Sequence, residues 1–120
     1  MKLYNSTGPN PHVVRMFAAE IGQPLELVAV DIMAAENRQS AYLSKNPAGQ
    51  LPCLELDDGT LIAEITTICE YFDDLKGHTP LIGTTAEARA ETRMWTRRID
   101  LGICENLANG FRFAEGLPLF

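Results

Sequence analysis

An α/β fold in the order β-α-β-α-β-β-α, followed by a helical segment, is predicted by three observations on the sequence. First, Cys53-Leu54-Glu55-Leu56 and Leu61-Ile62-Ala63 are short strand-like runs separated by Asp57-Asp58-Gly59. Asp and Gly tolerate the positive φ of tight turns, so the two runs read as a β-hairpin. Second, the apolar spacing changes after Glu64, and Ile65, Ile68, Cys69, Phe72 and Leu75 fall on one face of a helix. Third, the chain opens with strand-like, helical and strand-like runs in turn. Two strands separated by a helix imply a parallel pair with a right-handed crossover.

Met1 to Tyr4 is the first, brief strand, and Asn5-Ser6-Thr7-Gly8-Pro9 is loop chemistry. Asn10-Pro11 then starts a helix, with Asn as N-cap and Pro at the first helical position. Val13, Val14, Phe17, Ala18 and Ile21 form its apolar face, and Gly22 suits its C-terminal end. Leu25 to Asp31 alternates and is rich in β-formers, which makes it the second strand. A short helix is expected around Asn37 to Ser44, ahead of Asn46-Pro47. After the hairpin and its helix, Lys76-Gly77-His78-Thr79-Pro80 is a break. Thr84 and Glu87 have capping-box spacing, and a long helix is expected from Ala86 to Ala108, closed by Asn109-Gly110. Met94, Trp95, Ile99, Ile103, Cys104 and Leu107 give that helix an apolar stripe. The tail Gly110 to Phe120 is strongly apolar and ends abruptly.

The 120 residues amount to one domain or slightly more, and 46% hydrophobic with 22% charged residues is ordinary for a soluble protein. A net charge of −6 argues against general nucleic-acid binding, because there is no basic excess to neutralise phosphates. No apolar run approaches the roughly 20 residues that span a bilayer. The N-terminus turns polar too early for a signal peptide, so a cytoplasmic location is expected. Cys53, Cys69 and Cys104 are too scattered for a disulfide framework and lack Cys-x-x-Cys spacing. His12 and His78 share no ligand motif, and no metal site is expected.

Pro52 has no N–H and suits the first residue of a strand or a strand edge. It pushes Leu51 toward an extended conformation, leaving that residue's main chain able to pair with a peptide-like ligand. An ordinary trans proline opening an edge strand fits the same spacing.

The run Asn46-Pro-Ala-Gly-Gln-Leu-Pro52, then Asp58-Gly59, then Glu64-Ile-Thr-Thr-Ile-Cys-Glu-Tyr71 resembles the glutathione S-transferase family. In that family the pattern is roughly Asn-Pro-x-Gly-x-Val-Pro, Asp-Gly and Glu-Ser-x-Ala-Ile-x-x-Tyr. The resemblance implies a thioredoxin-like βαβαββα domain over residues 1–83. It makes residues 84–120 the first helix and tail of a truncated all-α domain. It also implies a cis Leu51–Pro52 bond, glutathione as co-substrate, and a homodimer.

By the same resemblance, Gln50 reaches the tripeptide through its side chain, while Leu51 beside Pro52 pairs with it through main-chain groups. Glu64 would meet the γ-glutamyl ammonium, and the next residue the γ-glutamyl carboxylate. The chain has Ile65 where the pattern has Ser, which keeps the N–H but loses a hydroxyl; Thr66 is adjacent. Glu64 equally reads as a first-turn acid complementing its helix.

A free thiol titrates at about 8.5, so such a site must favour the thiolate by a unit or more. A hydrogen-bond donor at the start of the first helix and that helix's dipole are the two available devices. The candidates are Asn10, whose amide is a neutral donor, and the hydroxyls of Ser6 and Thr7. Tyr4 belongs to the strand. Cys53, Cys69 and Cys104 read as core.

The leading expectation is conjugation of glutathione thiolate to small electrophiles. A glutathione-dependent disulfide reductase or peroxidase, and a non-catalytic binding or assembly module, stand as alternatives.

Overall fold

A computed structural model describes residues 1–116; Leu117 to Phe120, the end of the apolar tail, lie outside the described residues. The chain divides into two compact units, Met1–Gly77 and His78–Phe120.

In the first unit the elements are β1 (Lys2–Asn5), α1 (Pro9–Glu20), β2 (Glu26–Ala29), α2 (Ser40–Leu43), β3 (Cys53–Glu55), β4 (Leu61–Ala63) and α3 (Ile65–Leu75). A 3-10 turn, Glu36–Arg38, precedes α2. The sheet order is β2-β1-β3-β4. β1 runs parallel to β2 and antiparallel to β3, and β3 runs antiparallel to β4. This is the expected mixed sheet with helices, a thioredoxin-like arrangement.

Period-2 alternation sorts the strand residues onto two faces. Leu3 and Leu54 point to the face covered by α1 and α3, where they join Val14, Ala18, Ile68, Cys69 and Phe72. Leu3, Leu54, Ile68 and Phe72 are completely buried, and each such side chain contributes about 1.5–3 kcal/mol. Tyr4 and Cys53 point to the other face, with Val30, Ile32, Tyr42 and Leu51. α2 covers that side.

Several element ends differ from expectation: β1 runs Lys2–Asn5, β2 is only Glu26–Ala29, and the helix expected around Asn37 to Ser44 is split into the 3-10 turn and α2. Local chemistry explains the ends of α1 and β3. α1 begins one residue before Asn10, with Gly8 as N-cap and Pro9 as its first residue, so Asn10 lies inside the helix and caps nothing. Pro9 and Pro11 both suit a first turn, since neither needs an N–H partner. At the other end Gly22 has φ 63°, and the N–H groups of Gly22 and Gln23 reach back to Ala19 and Ala18. That double closure is a Schellman motif, which glycine accepts without a Cβ penalty. In the hairpin, β3 stops at Glu55 rather than Leu56, whose carbonyl accepts from the Gly59 N–H as the first residue of the turn.

The second unit carries α4 (Ala86–Ile99), a π-helical turn (Asp100–Cys104) and α5 (Glu105–Arg112). Thr85, not Thr84, caps α4, its hydroxyl accepting from the N–H of Ala88 at 3.2 Å. Glu87 is therefore one place short of the reciprocal capping position. Asn109-Gly110 does not close the helix, which continues to Arg112. Cys104 is exposed in the π-helical turn, so it is not a core residue. Trp95, Ile99, Ile103 and Leu107 are also exposed. No helix among the described residues is long and apolar enough to cross a membrane.

Candidate active site

Tyr4, Cys53 and Ala63 lie side by side across β1, β3 and β4. One residue beyond each lie Asn5, Pro52 and Glu64, so the register brings three separate stretches to one end of the sheet. Ser6 and α1 follow Asn5, Leu51 precedes Pro52, and α3 follows Glu64.

The Leu51–Pro52 peptide is cis, as the resemblance implies. Leu51 is buried, and its main-chain N–H and C=O bond no described protein group. The loop carrying it is tied down on its other side. The Gln50 carbonyl accepts from the Tyr42 hydroxyl at 2.6 Å and from the Asn46 amide at 2.8 Å. The Gly49 carbonyl accepts from the buried Asn37 amide at 2.8 Å. Gly49 has φ 65°, and a Cβ there would sit 3.2 Å from the Asn37 carbonyl oxygen. Only glycine suits that place. The structure thus leaves one unpaired main-chain residue on a fixed loop, which is what an added strand needs.

Glu64 is the N-cap of α3 but makes no side-chain cap. Its backbone has φ 73° and ψ 130°, a conformation that costs a non-glycine residue about 1–3 kcal/mol. The exposed carboxylate has no partner among the described residues. Beneath it, Ile68 makes the first turn bond to the Glu64 carbonyl. The N–H groups of Ile65, Thr66 and Thr67 are left without described partners. Three aligned donors make this end of α3 suited to a carboxylate.

The N-terminus of α1 is different. Of its first three residues, Pro9 and Pro11 have no N–H, so Asn10 supplies the only one. The positive end of a helix dipole resides largely on such unpaired N–H groups. Anion stabilisation at α1 must therefore come mainly from side chains. Ser6 is buried, and its Oγ accepts a long bond, 3.4 Å, from Gly8 N–H, leaving its own hydrogen available. Thr7 and Asn10 are exposed, and no described group holds either side chain. Tyr4 is committed elsewhere: its hydroxyl donates to Glu55 at 2.6 Å.

Sequence reasoning thus reaches both ends of this row, but it passes over Tyr42 and Asn37. No local signal marks them, since their acceptors lie 8 and 12 residues away. Asn46 sits within the recognisable motif without an evident role there. Burial pushes the thiols of Cys53 and Cys69 up, that of Cys69 to about 12, so neither is poised as a nucleophile. No cluster of metal-ligating side chains occurs among the described residues. A depression lined by Met1, Lys2, Glu26, Glu55, Leu56 and Asp57 lies at the opposite end of the sheet. It shares no residue with the row.

Residues 1–74 match the N-terminal domain of glutathione S-transferases. The chain is 36% identical over 117 residues to Glutathione S-transferase 2 of Saccharomyces cerevisiae, covering 95% of this chain and 50% of that protein. The crystal structure of Gtt2 from Saccharomyces cerevisiae aligns with a TM-score of 0.79 at 39% identity, over 84% of this chain and 50% of that one. A glutathione transferase homologue from Sulfitobacter, solved with bound glutathione, aligns with a TM-score of 0.75 at 28% identity, over 82% of this chain and 47% of that one. The chain spans about half the length of these relatives.

Proposed function

Because the chain belongs to the glutathione S-transferase family, we propose that it binds glutathione along Gln50–Pro52 and presents the thiolate to small electrophiles. The observation that carries this reading is the unpaired main chain of Leu51, set beside the uncommitted Glu64 carboxylate at one end of the sheet. The cysteinyl main chain of the tripeptide pairs with Leu51 as a short extra strand, and the Gln50 side chain adds a polar contact. The γ-glutamyl ammonium meets Glu64. Its carboxylate meets the N–H groups of Ile65 and Thr66, with the Thr66 hydroxyl close by in sequence.

The thiol then lies toward α1. Asn10 donates to the sulfur, and Ser6 and Thr7 are the hydroxyls of the same loop. A donor aimed at sulfur stabilises the thiolate more than the thiol and lowers the thiol pKa. The thiolate attacks an electrophilic carbon, a C–S bond forms, and the leaving group departs with its electron pair. The proton lost by the thiol goes to solvent. The same reading makes the protein cytoplasmic, in keeping with its three unpaired cysteines, and a homodimer, which sedimentation tests.

Three measurements test the reading together. Calorimetry with reduced glutathione is expected to show binding to the purified chain. Its absence overturns the proposal and leaves a binding or assembly module of other specificity. Thiolate absorbance of the complex, followed against pH, is expected to titrate below the free thiol. Asn10→Ala should raise that pKa; if Ser6→Ala or Thr7→Ala does so and Asn10→Ala does not, the donor is reassigned. Turnover of an aryl halide supports conjugation. Turnover of a mixed disulfide or peroxide alone assigns the reductase or peroxidase reaction instead.

A further inference from the structure

We propose that Tyr42 is a positioning residue for glutathione: its hydroxyl, acting with the Asn46 amide on the Gln50 carbonyl, sets the main chain of Leu51 in the orientation that the tripeptide reads. The inference rests on the glutathione reading above, and no ligand contact is assigned to Tyr42 itself.

The geometry is specific. One carbonyl oxygen, that of Gln50, takes two short hydrogen bonds from α2 and the turn after it, at 2.6 and 2.8 Å. A carbonyl has two lone pairs, so this acceptor is fully used and the peptide plane between Gln50 and Leu51 cannot turn without breaking both bonds. That same plane carries the Leu51 N–H. Fixing it aims an unpaired donor, and loss of the clamp frees it.

Tyr42 is itself held rather than merely placed. Its ring is buried, and the Tyr4 ring meets it edge-on with centroids 5.9 Å apart. The Tyr4 hydroxyl bonds Glu55 at 2.6 Å, and Lys45 bonds the same carboxylate oxygen at 3.0 Å. Lys45 Nζ also lies 5.1 Å from the centre of the Tyr4 ring. Burial pushes the Tyr42 hydroxyl's pKa upward, so it stays protonated and a donor across the neutral range. A phenol locked by a ring contact on one side and a single acceptor on the other is a strut, and its load is the loop before Pro52.

The test uses the full chain, reduced glutathione and two variants. Tyr42→Phe removes one donor and leaves the ring. Asn46→Asp removes the other donor while leaving the oxygen that Ala48 N–H bonds at 3.2 Å. The expected result is a five- to tenfold rise in Kd for Tyr42→Phe and a larger rise for Asn46→Asp. It is accompanied by displaced amide resonances from Gly49 to Cys53 in the free protein. Ser44→Ala, which deletes a bond from the same turn to Ala41 only, should leave Kd unchanged. If the wild type binds glutathione and both folded variants bind it equally well, Tyr42 is structural and the inference is overturned. If the wild type does not bind, the glutathione reading fails first and takes this inference with it. Should Tyr42→Phe not fold, Asn46→Asp decides, because it alters the same carbonyl from the other side.

Discussion

Glu64 joins a strained backbone to an unpaired charge. At φ 73° an L-residue is disfavoured while glycine is at ease, and the carboxylate makes no cap for α3. Stability and ligand binding should therefore move in opposite directions on replacement. Glu64→Gly is expected to raise the urea midpoint, by up to about 1 kcal/mol of stability, while weakening glutathione binding. Loss of a hydrogen bond to a charged group, about 1.5–3 kcal/mol, corresponds to a Kd some ten- to hundredfold higher. Equal losses in both measurements would show that Glu64 serves the fold and not the ligand. The neighbouring position has the reverse potential. Ile65 is half-buried at the first turn of α3, beside three unpaired N–H groups. Ile65→Ser restores a hydroxyl there and is expected to tighten binding about five- to tenfold, read by calorimetry.

Helix starts differ in what they can hold, and the difference is written in the prolines. α3 offers three N–H groups, whereas α1, beginning Pro9-Asn10-Pro11, offers one. Pro9→Ala returns a donor to α1 at an exposed position. The pKa of bound glutathione thiol, followed by thiolate absorbance, should fall; an unchanged value would mean that the helix end contributes nothing. On the opposite face, β1, β3 and the turn after α2 are tied through Glu55. The Tyr4 hydroxyl first, and the Lys45 ammonium second, hold its carboxyl below the usual range. A folded-state pKa that is lowered stabilises the fold fully above the ordinary glutamate value, about 4.3. That contribution is lost as pH falls through the lowered value. Urea midpoints measured down this acid range should fall for the wild type and flatten for Glu55→Gln.

Each of the two buried clusters of the first unit is drawn from within residues 1–77. A fragment ending at Gly77 is therefore expected to unfold cooperatively in urea and to retain glutathione binding within about threefold. A non-cooperative transition would show that the second unit is needed to fold the first. Nearly all of the first unit was legible in local chemistry: the Asp58-Gly59 turn, the period change at Glu64, and Gly22 after an apolar helical face. Asn10, Thr84 and Asn109-Gly110 each carry a good local signal that the committed backbone overrides: Gly8 and Thr85 take the two caps, and α5 continues past Gly110. Cys104 fits an apolar stripe by spacing, yet spacing cannot say what packs against that stripe. By itself the sequence determined the order of elements and the family, and it pointed to the loops that meet at one end of the sheet, because turns, caps and periodicity are short-range properties. Only the tertiary structure decided that Tyr42 and Asn46 share the Gln50 carbonyl and that Asn37 holds the Gly49 carbonyl. Those facts depend on where a folded chain brings distant donors, and no local pattern encodes a contact across a loop.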